Sequence, residues 1–435
     1  MSSTTLANSL RRGRTQRNLP TRILGFYLLC LGVEAFAAYS LVAGHTAVAV
    51  AVAALPLAIW ESTRLAGALV LLGAVLPFFW NVAGGSSANV AVSDLLLVFI
   101  GAVLFVRAAA LRSEAEFRAL RLVAFPVLQY GGFMLVLLLV HPGGRELLQT
   151  GQRAELFLLP LLVGAFAGLA DRIVPMLKAY VVAVALLAVI WPVDHLSLQK
   201  NPVGQFIANG ILLLIALPRL RAFAPLLLVL IPGLFLSASR GAVGSVFVGL
   251  AVITLLHESR GRALVTRIIP IVALAVAAFA LVPAAVSQRL TTTSSGDLAT
   301  TAQYSIHIHQ QYANDAHRLI RLHKWTGIGV GNYLAGDAYL GTQTTDPHNV
   351  FLLQEAEGGY GFALSFGLLL AGISLVLYRM RRLQLASAAL AVLLATAAHG
   401  VVDVYWVRAT PVLGWLLVGA VCGAYARKPV SVQPG

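Results

Sequence analysis

Charged residues are scarce in this sequence. They make up 11% of its 435 residues, and 59% of the chain is hydrophobic, whereas soluble domains carry about 25% charged residues. A soluble core could not hide that much apolar surface, so the composition excludes a soluble protein. The sequence also has only two cysteines, Cys30 and Cys422, and no Asp-x-Asp motif. Both cysteines lie in apolar runs, which argues against a disulfide, and the usual acidic site for a metal-bound diphosphate is missing.

Apolar runs recur along nearly the whole chain. Most of them approach the roughly 17 to 25 residues that a helix needs to cross a bilayer. A backbone in lipid must satisfy its own hydrogen bonds, so we expect an all-α transmembrane bundle of about 12 to 14 helices. The candidate spans are 22–43, 46–60, 65–82, 92–106, 122–140, 155–170, 178–193, 202–217, 223–236, 241–257, 268–286, 356–378, 384–402 and 409–426.

The distribution of basic residues predicts the orientation. Most of the 31 Lys and Arg residues fall on one side of the membrane if the N-terminus is cytoplasmic, as the positive-inside rule requires. Both termini are then cytoplasmic, and the net charge of +14 reflects the membrane and not nucleic acid binding. The predicted parts are a basic arm at 1–21, an N-terminal transmembrane bundle at 22–286, a large outer loop at 287–347, C-terminal transmembrane helices at 348–426 and a cytoplasmic tail at 427–435.

The outer loop, residues 287–347, is the one long polar segment of the sequence. It is too long for a simple connection, and long loops often carry function. Apolar residues recur at roughly helical spacing over 303–326, at Tyr304, Ile308, Tyr312, Leu319 and Leu322. We therefore expect helices lying at the membrane surface in this segment.

Nine basic residues are predicted on the outer side, where orientation alone requires no cation. They are Arg145, Arg153, Lys200, Arg240, Arg289, Arg318, Arg321, Lys324 and Arg408. Arg240 is the strongest binding candidate, because it lies in a Ser-Arg-Gly turn and a guanidinium can grip a phosphate with two donors. Lys200 opens a span in which Asn201, Gln205 and Asn209 share one helix face. These amides either hydrogen-bond between helices or line a groove.

The segment Asp346-Pro347-His348-Asn349 precedes an apolar run. It predicts a helix start with Asp346 as the N-cap and Pro347 as the first helical residue. His348 and Asn349 would then lie in the first turn, where the helix dipole is positive and disfavours imidazolium. A neutral His348 could act as a general base. The alternative is an ordinary capping or surface residue.

Three further patterns are weaker. The Gly-x-Gly-x-Gly segment 327–331 lacks the strand and helix of a nucleotide loop and predicts a surface turn. His307 and His309 have no adjacent carboxylate or Cys to complete a metal site. His399 and Asp403, four residues apart, predict a structural pair inside the membrane.

Taken together, these features resemble the O-antigen ligase and polymerase superfamily of bacterial membrane glycosyltransferases, and the O-antigen ligases in particular. The resemblance covers the topology of the whole chain. Its specific motifs are Ser-Arg240-Gly, the glycine turn with Asn332-Tyr333, His348-Asn349-x-x-Leu352 and Glu357-x-Gly359.

The resemblance implies a GT-C-like membrane fold and metal-independent, inverting glycosyl transfer without a cofactor. The implied donor is an O-antigen glycan on undecaprenyl diphosphate, and the implied acceptor is lipid A-core oligosaccharide at the periplasmic face of the inner membrane. By this resemblance, His348 matches the essential histidine of the family, and Arg240 matches an essential arginine. A second family arginine has no counterpart near His307 and His309, so Arg289, Arg318 or Arg321 is expected to replace it. The expected diphosphate and glycan contacts are Arg240, Lys200, Arg289, Arg318, Arg321, Asn349 and Gln205.

The acceptor cannot be read from the residues. An O-antigen polymerase or a protein O-oligosaccharyltransferase would use the same donor and the same His and Arg chemistry. A transporter would instead use intramembrane polar residues such as Glu34, Asn209, His399 and Asp403 as a pathway. The sequence shows neither the inverted repeat nor the paired broken helices of such transporters.

Overall fold

The computed structural model describes residues 114–193, 200–256, 298–339, 346–403, 405–406 and 410–427, all within one compact unit. These residues form helices and contain no strand, so the expectation of an all-α fold is confirmed. The helices are α1 (Glu114–Arg121), α2 (Ala124–Val140), α3 (Gly144–Leu169), α4 (Ile173–Ile190), α5 (Lys200–Ala216), a 3₁₀ helix (Pro218–Leu226), α6 (Leu227–Leu236), α7 (Arg240–Leu256), α8 (Leu298–Leu322), α9 (Tyr333–Tyr339), α10 (Val350–Arg379), α11 (Gln384–Val402) and α12 (Val412–Arg427). Side chains in α8 are described from His307 onwards.

Within the described ranges, five helical segments are long and apolar enough to cross a membrane. They are α3, α4, the 3₁₀ helix joined to α6, α10 and α11. A sixth span results if α1 and α2, bent by 69° at their junction, count as one, and α7 and α12 are apolar but shorter. The chain is therefore a multi-pass membrane protein. The predicted spans 22–43, 46–60, 65–82, 92–106 and 268–286 lie outside the residues described.

Two helices begin earlier than the apolar runs that predicted them. The runs at 155–170 and 356–378 correspond to α3 and α10, and both helices extend well before those positions. Hydropathy detects only the apolar part of a helix, and the first turns of α3 are largely polar, while Gln354 and Glu355 interrupt the apolar beginning of α10. The polar extension of α3 carries Arg153, which meets Glu357 of α10 in the site described below.

The helices α3 and α12 pack with their backbones in contact. A side chain at Gly164 would overlap the carbonyl of Leu416, and one at Gly419 would overlap the carbonyl of Leu161. Small residues at a helix interface permit this approach, and the resulting contact stabilises helix pairs in lipid. The pair forms a rigid frame that holds the polar end of α3 in place.

The long polar segment does contain a helix. The periodicity over 303–326 predicted one, and α8 runs from Leu298 to Leu322. Its inner face contributes Ala316, Leu319 and Ile320 to a small apolar cluster with Tyr333 of α9 and Leu353 and Ala356 of α10. This cluster seats α8 across the beginning of α10, which brings the residues of the two segments together.

Candidate active site

The segment before α10 forms a turn, and the helix begins later than predicted. The prediction of Asp346 as the N-cap is wrong, because Asn349 caps α10 by accepting hydrogen bonds from the amides of Phe351 (2.9 Å) and Leu352 (3.2 Å). The Asp346 carboxylate instead accepts a bond of 2.6 Å from the backbone N–H of His348. Asp side chains commonly bond to the backbone two residues on and turn the chain in this way.

His348 therefore lies just before the helix and not in its first turn. Its φ of 54° is left-handed, a conformation that costs free energy for a residue with a side chain and that often occurs at functional sites. Its Nδ1 lies 3.0 Å from the backbone carbonyl of Asp346. A carbonyl can only accept, so in neutral His348 the proton sits on Nδ1. Nε2 is then the nitrogen that can take a proton from a substrate.

Two aromatic side chains of α8 contact the ring of His348. The ring centroid of His309 lies 5.3 Å away at an interplanar angle of 76°, and that of Tyr312 lies 5.3 Å away at 36°. Burial and the charges of His348 and Lys200 lower the pKa of His309, and Asp403 acts in the opposite direction. Lys200 and Asp403 therefore lie within electrostatic reach of this ring, at the same end of the bundle.

The glycine turn at 327–331 is held against α10 by backbone hydrogen bonds. Gly359 breaks α10 with a φ of 72°. At this break, two carbonyls of α10 accept hydrogen bonds from the turn. The amide of Ile328 donates to Ala356 (3.0 Å), and the amide of Gly329 donates to Glu357 (2.9 Å). The segment is a turn with three left-handed glycines, as predicted. At Gly327 a side chain would overlap the backbone of Glu357, so only glycine fits.

A buried ion pair also holds the glycine turn. The Arg153 guanidinium of α3 lies 2.5 Å from the Glu357 carboxylate of α10, and both side chains are at most 6% exposed. The second Glu357 oxygen accepts a 2.8 Å bond from the backbone N–H of Gly331. Glu357 thus links α3, α10 and the turn. The sequence indicated Arg153 only as one of the nine outer basic residues, and it did not predict this partner.

The end of α2 and the beginning of α3 also hold the glycine turn. The side-chain amide of Asn332 donates a 2.6 Å hydrogen bond to Glu146. The ring of His141 bonds through Nε2 to the carbonyl of Thr326 at 3.0 Å. One end of the turn is therefore tied to the end of α2 through His141, and the other end is tied to α3 through Glu146. The turn is a preformed part of the site.

Asp346 is a buried carboxyl group beside His348. Burial raises its pKa to about 7, opposed by the His348 imidazole and its backbone amide and reinforced by the negative charge of Glu357. Near neutral pH this group therefore exists in both protonation states. It is outside the set of site residues that the sequence predicted.

Arg240 and Lys200 open two neighbouring helices. Arg240 is exposed and is the first residue of α7, and Lys200 is exposed and is the first residue of α5. Gly241 packs directly against His399 of α11, which lies 3.7 Å from Asp403. Asp403 in turn acts on His309, so this series of contacts places Arg240 at the same end of the bundle as His348. Arg289 lies outside the described residues.

Arg318 and Arg321 lie on a different face of α8. Arg318 lies nine residues after His309, and Arg321 lies nine residues after Tyr312. Nine residues are about 2.5 helical turns, so each arginine lies on the side of α8 opposite the ring that contacts His348. Both arginines are exposed, and Arg318 lies 3.9 Å from Asp315. The structure does not bring these two predicted contacts to His348.

Gln205 is fully buried between helices. Its side-chain amide donates to Asn209 (2.8 Å) and Thr396 (3.3 Å), and its oxygen accepts from Ser245 (3.2 Å). The structure thus uses Gln205 for interhelical hydrogen bonding among α5, α7 and α11. Asn349 is likewise engaged with its own helix, where it fixes the position of the preceding His348.

The geometry of the helices and of the site defines a class of protein. It is a multi-pass membrane protein in which a histidine with one available nitrogen and two helix-opening cations lie at the same end of the bundle. Residues 225–364 match a family model described as O-antigen ligase, and this match supports the resemblance seen in the sequence. The match includes Arg240, His348 and Glu357. A search of curated proteins found no match.

Proposed function

We propose that this protein is an O-antigen ligase. It transfers an O-antigen glycan from undecaprenyl diphosphate to the lipid A-core oligosaccharide in lipopolysaccharide biosynthesis. The observation that carries the proposal is His348, whose Nδ1 is bound to a carbonyl and whose Nε2 is left to accept a proton. The family domain at residues 225–364 supports the same assignment.

In the proposed reaction, an acceptor hydroxyl attacks the anomeric carbon of the donor from the face opposite the diphosphate. His348 Nε2 takes the hydroxyl proton as the new carbon–oxygen bond forms. The bond between the anomeric carbon and the phosphate oxygen breaks, and its electron pair leaves on the diphosphate. Attack from the opposite face inverts the anomeric configuration.

The leaving diphosphate needs positive charge near it. Arg240 and Lys200 supply it from the first residues of α7 and α5, where their side chains are exposed, and we assign the same role to Arg289. We propose that no metal takes part, because the sequence has no Asp-x-Asp motif to hold one on a diphosphate. Arginine is suited to this role because its planar guanidinium can bind two phosphate oxygens at once.

The proposed location is the bacterial inner membrane, with both termini in the cytoplasm and the site at the periplasmic face. The positive-inside distribution of Lys and Arg supports this orientation. A GT-C-like arrangement of the helices belongs to the same proposal.

The test is transfer by the purified protein with a lipid-linked glycan donor and lipid A-core acceptor. His348→Ala should lose roughly 10²- to 10⁴-fold in turnover, the usual contribution of a general base, while donor binding persists because the cations remain. Loss of donor binding with normal turnover at saturating donor would instead make His348 a phosphate contact. Transfer only to a growing glycan or to a protein would identify the polymerase or the protein O-oligosaccharyltransferase.

A further inference from the structure

We infer that His309, Tyr312 and His348 form the subsite for the acceptor sugar, the sugar whose hydroxyl attacks the donor. The inference rests on the proposed function and adds which side chains hold the acceptor. We name these three residues the ring cup.

Two rings of the ring cup lie close to the imidazole at which the acceptor binds. A hydroxyl that donates to His348 Nε2 lies about 3 Å from it. His309 and Tyr312 are each only 5.3 Å from His348 between ring centroids. The sugar that carries this hydroxyl is therefore within reach of the neighbouring rings.

The chemistry of the cup suits a sugar. A sugar ring has apolar C–H faces and a rim of hydroxyls, and His and Tyr side chains combine an apolar body with a polar tip. Binding sites for such ligands are commonly lined by aromatic side chains with a few polar groups that set the orientation. His309 is exposed and Tyr312 is half-buried, so a ligand can reach both side chains.

The cup is separate from the cations that we assign to the donor. Arg240 and Lys200 reach the site from the first residues of α7 and α5, whereas His309 and Tyr312 project from α8. A neutral imidazole and a phenol supply no fixed positive charge, which the leaving diphosphate needs. The ring cup therefore belongs to the acceptor side.

The cup is preformed. The buried Tyr333 hydroxyl donates a 3.4 Å hydrogen bond to the backbone carbonyl of Tyr312. The apolar cluster around Leu319 and Leu353 fixes α8 on α10. Residues held in this way lose little conformational freedom when a ligand binds, which favours affinity.

Initial rates measured while each substrate is varied test the subsite. His309→Ala and Tyr312→Ala should each raise the acceptor KM about five- to tenfold, the effect of losing one ring contact, and leave the donor KM within about twofold. Tyr312→Phe keeps the ring and loses only the hydroxyl, so its acceptor KM should rise less than that of Tyr312→Ala. His317→Ala, an exposed histidine farther along the same helix, is the matched control and should change neither KM.

Equal increases in both KM values, or an unchanged acceptor KM in the two alanine variants, would overturn the subsite. Saturation-transfer NMR with core oligosaccharide alone separates this failure from that of the proposed function. Wild-type protein should bind the oligosaccharide, and His309→Ala and His348→Ala should each bind it more weakly. Binding that His309→Ala leaves unchanged overturns the subsite only, whereas no binding and no transfer by the wild type overturn the proposed function as well.

Discussion

At the scale of single residues, Arg240 tests how the donor is held. We predict that Arg240→Lys is nearly as damaging as Arg240→Ala, because an ammonium keeps the charge but not the planar fork that binds two phosphate oxygens. Losing such a contact to the leaving group costs about 2 to 4 kcal/mol of barrier. The measurement is kcat/KM for the donor in purified variants.

Arg318 supplies the comparison for Arg240. It is exposed on the face of α8 opposite His309, and Arg318→Ala should therefore have little effect on donor kinetics. Full activity in a well-expressed Arg240→Lys protein would assign Arg240 a structural role.

The raised pKa of Asp346 predicts that the stability of the folded protein depends on pH. Burial raises its pKa from 3.8 to about 7, so the folded state holds a proton that the unfolded state releases. The contribution of this group to stability is therefore fully present below about pH 4 and is lost as the pH rises through about 7. Thermal unfolding of Asp346→Asn between pH 4 and 8 should lack this decline, and an identical pH profile in both proteins would contradict the raised pKa.

Among the residues of the site, some could be predicted from the sequence and others could not. His348 could, because Asp-Pro before an apolar run marks the start of a helix. The cap itself was misplaced by three residues, since Asp346 and Asn349 are both good caps and only the turn at His348 decides between them. Arg153 and Glu357 are far apart in the chain, and no local pattern predicts that they meet.

At the scale of elements, the Arg153–Glu357 pair connects the glycine turn to the membrane helices. Arg153→Met or Glu357→Gln alone leaves a buried group without its partner, which costs about 3 to 5 kcal/mol. Each variant should lower the unfolding temperature in detergent. The double variant Arg153→Met/Glu357→Gln should recover part of that loss, because no unpaired buried charge remains.

The kinetic signature of the double variant is a second readout. Gly331 then donates to a neutral amide oxygen in place of a carboxylate, which weakens this hydrogen bond, so turnover should stay below the wild type even where stability recovers. A double variant as unstable as Arg153→Met alone would show that the two side chains do not act as a pair.

The sequence predicts the bounds of the helices well in their apolar parts and poorly in their polar parts. The cores of α4, α5 and α11 lie close to the predicted spans. Hydropathy did not predict the beginnings of α3 and α10, where polar residues interrupt the apolar pattern, and the unpredicted part of α3 carries Arg153 of the ion pair. The break at Gly359 within α10 was not predicted either, since its hydrogen bonds go to a segment about thirty residues earlier in the sequence.

At the scale of the whole molecule, the orientation is the prediction with the widest consequence. Reporter fusions at Arg112, Arg262 and Arg381 should report the cytoplasm, and a fusion near Ser295 should report the periplasm, because basic residues concentrate on the cytoplasmic side. A cytoplasmic signal near Ser295 would contradict the proposed position of the site.

The close packing of α3 and α12 bears on how the protein matures. Ribosomes make the chain from its N-terminus, so α3 enters the membrane long before α12 exists. Until α12 arrives, the face of α3 around Gly164 lacks the backbone of its partner helix. The packing of α3 is thus completed only when α12 is inserted. We expect chains truncated before α12 to lack this contact and to be inactive.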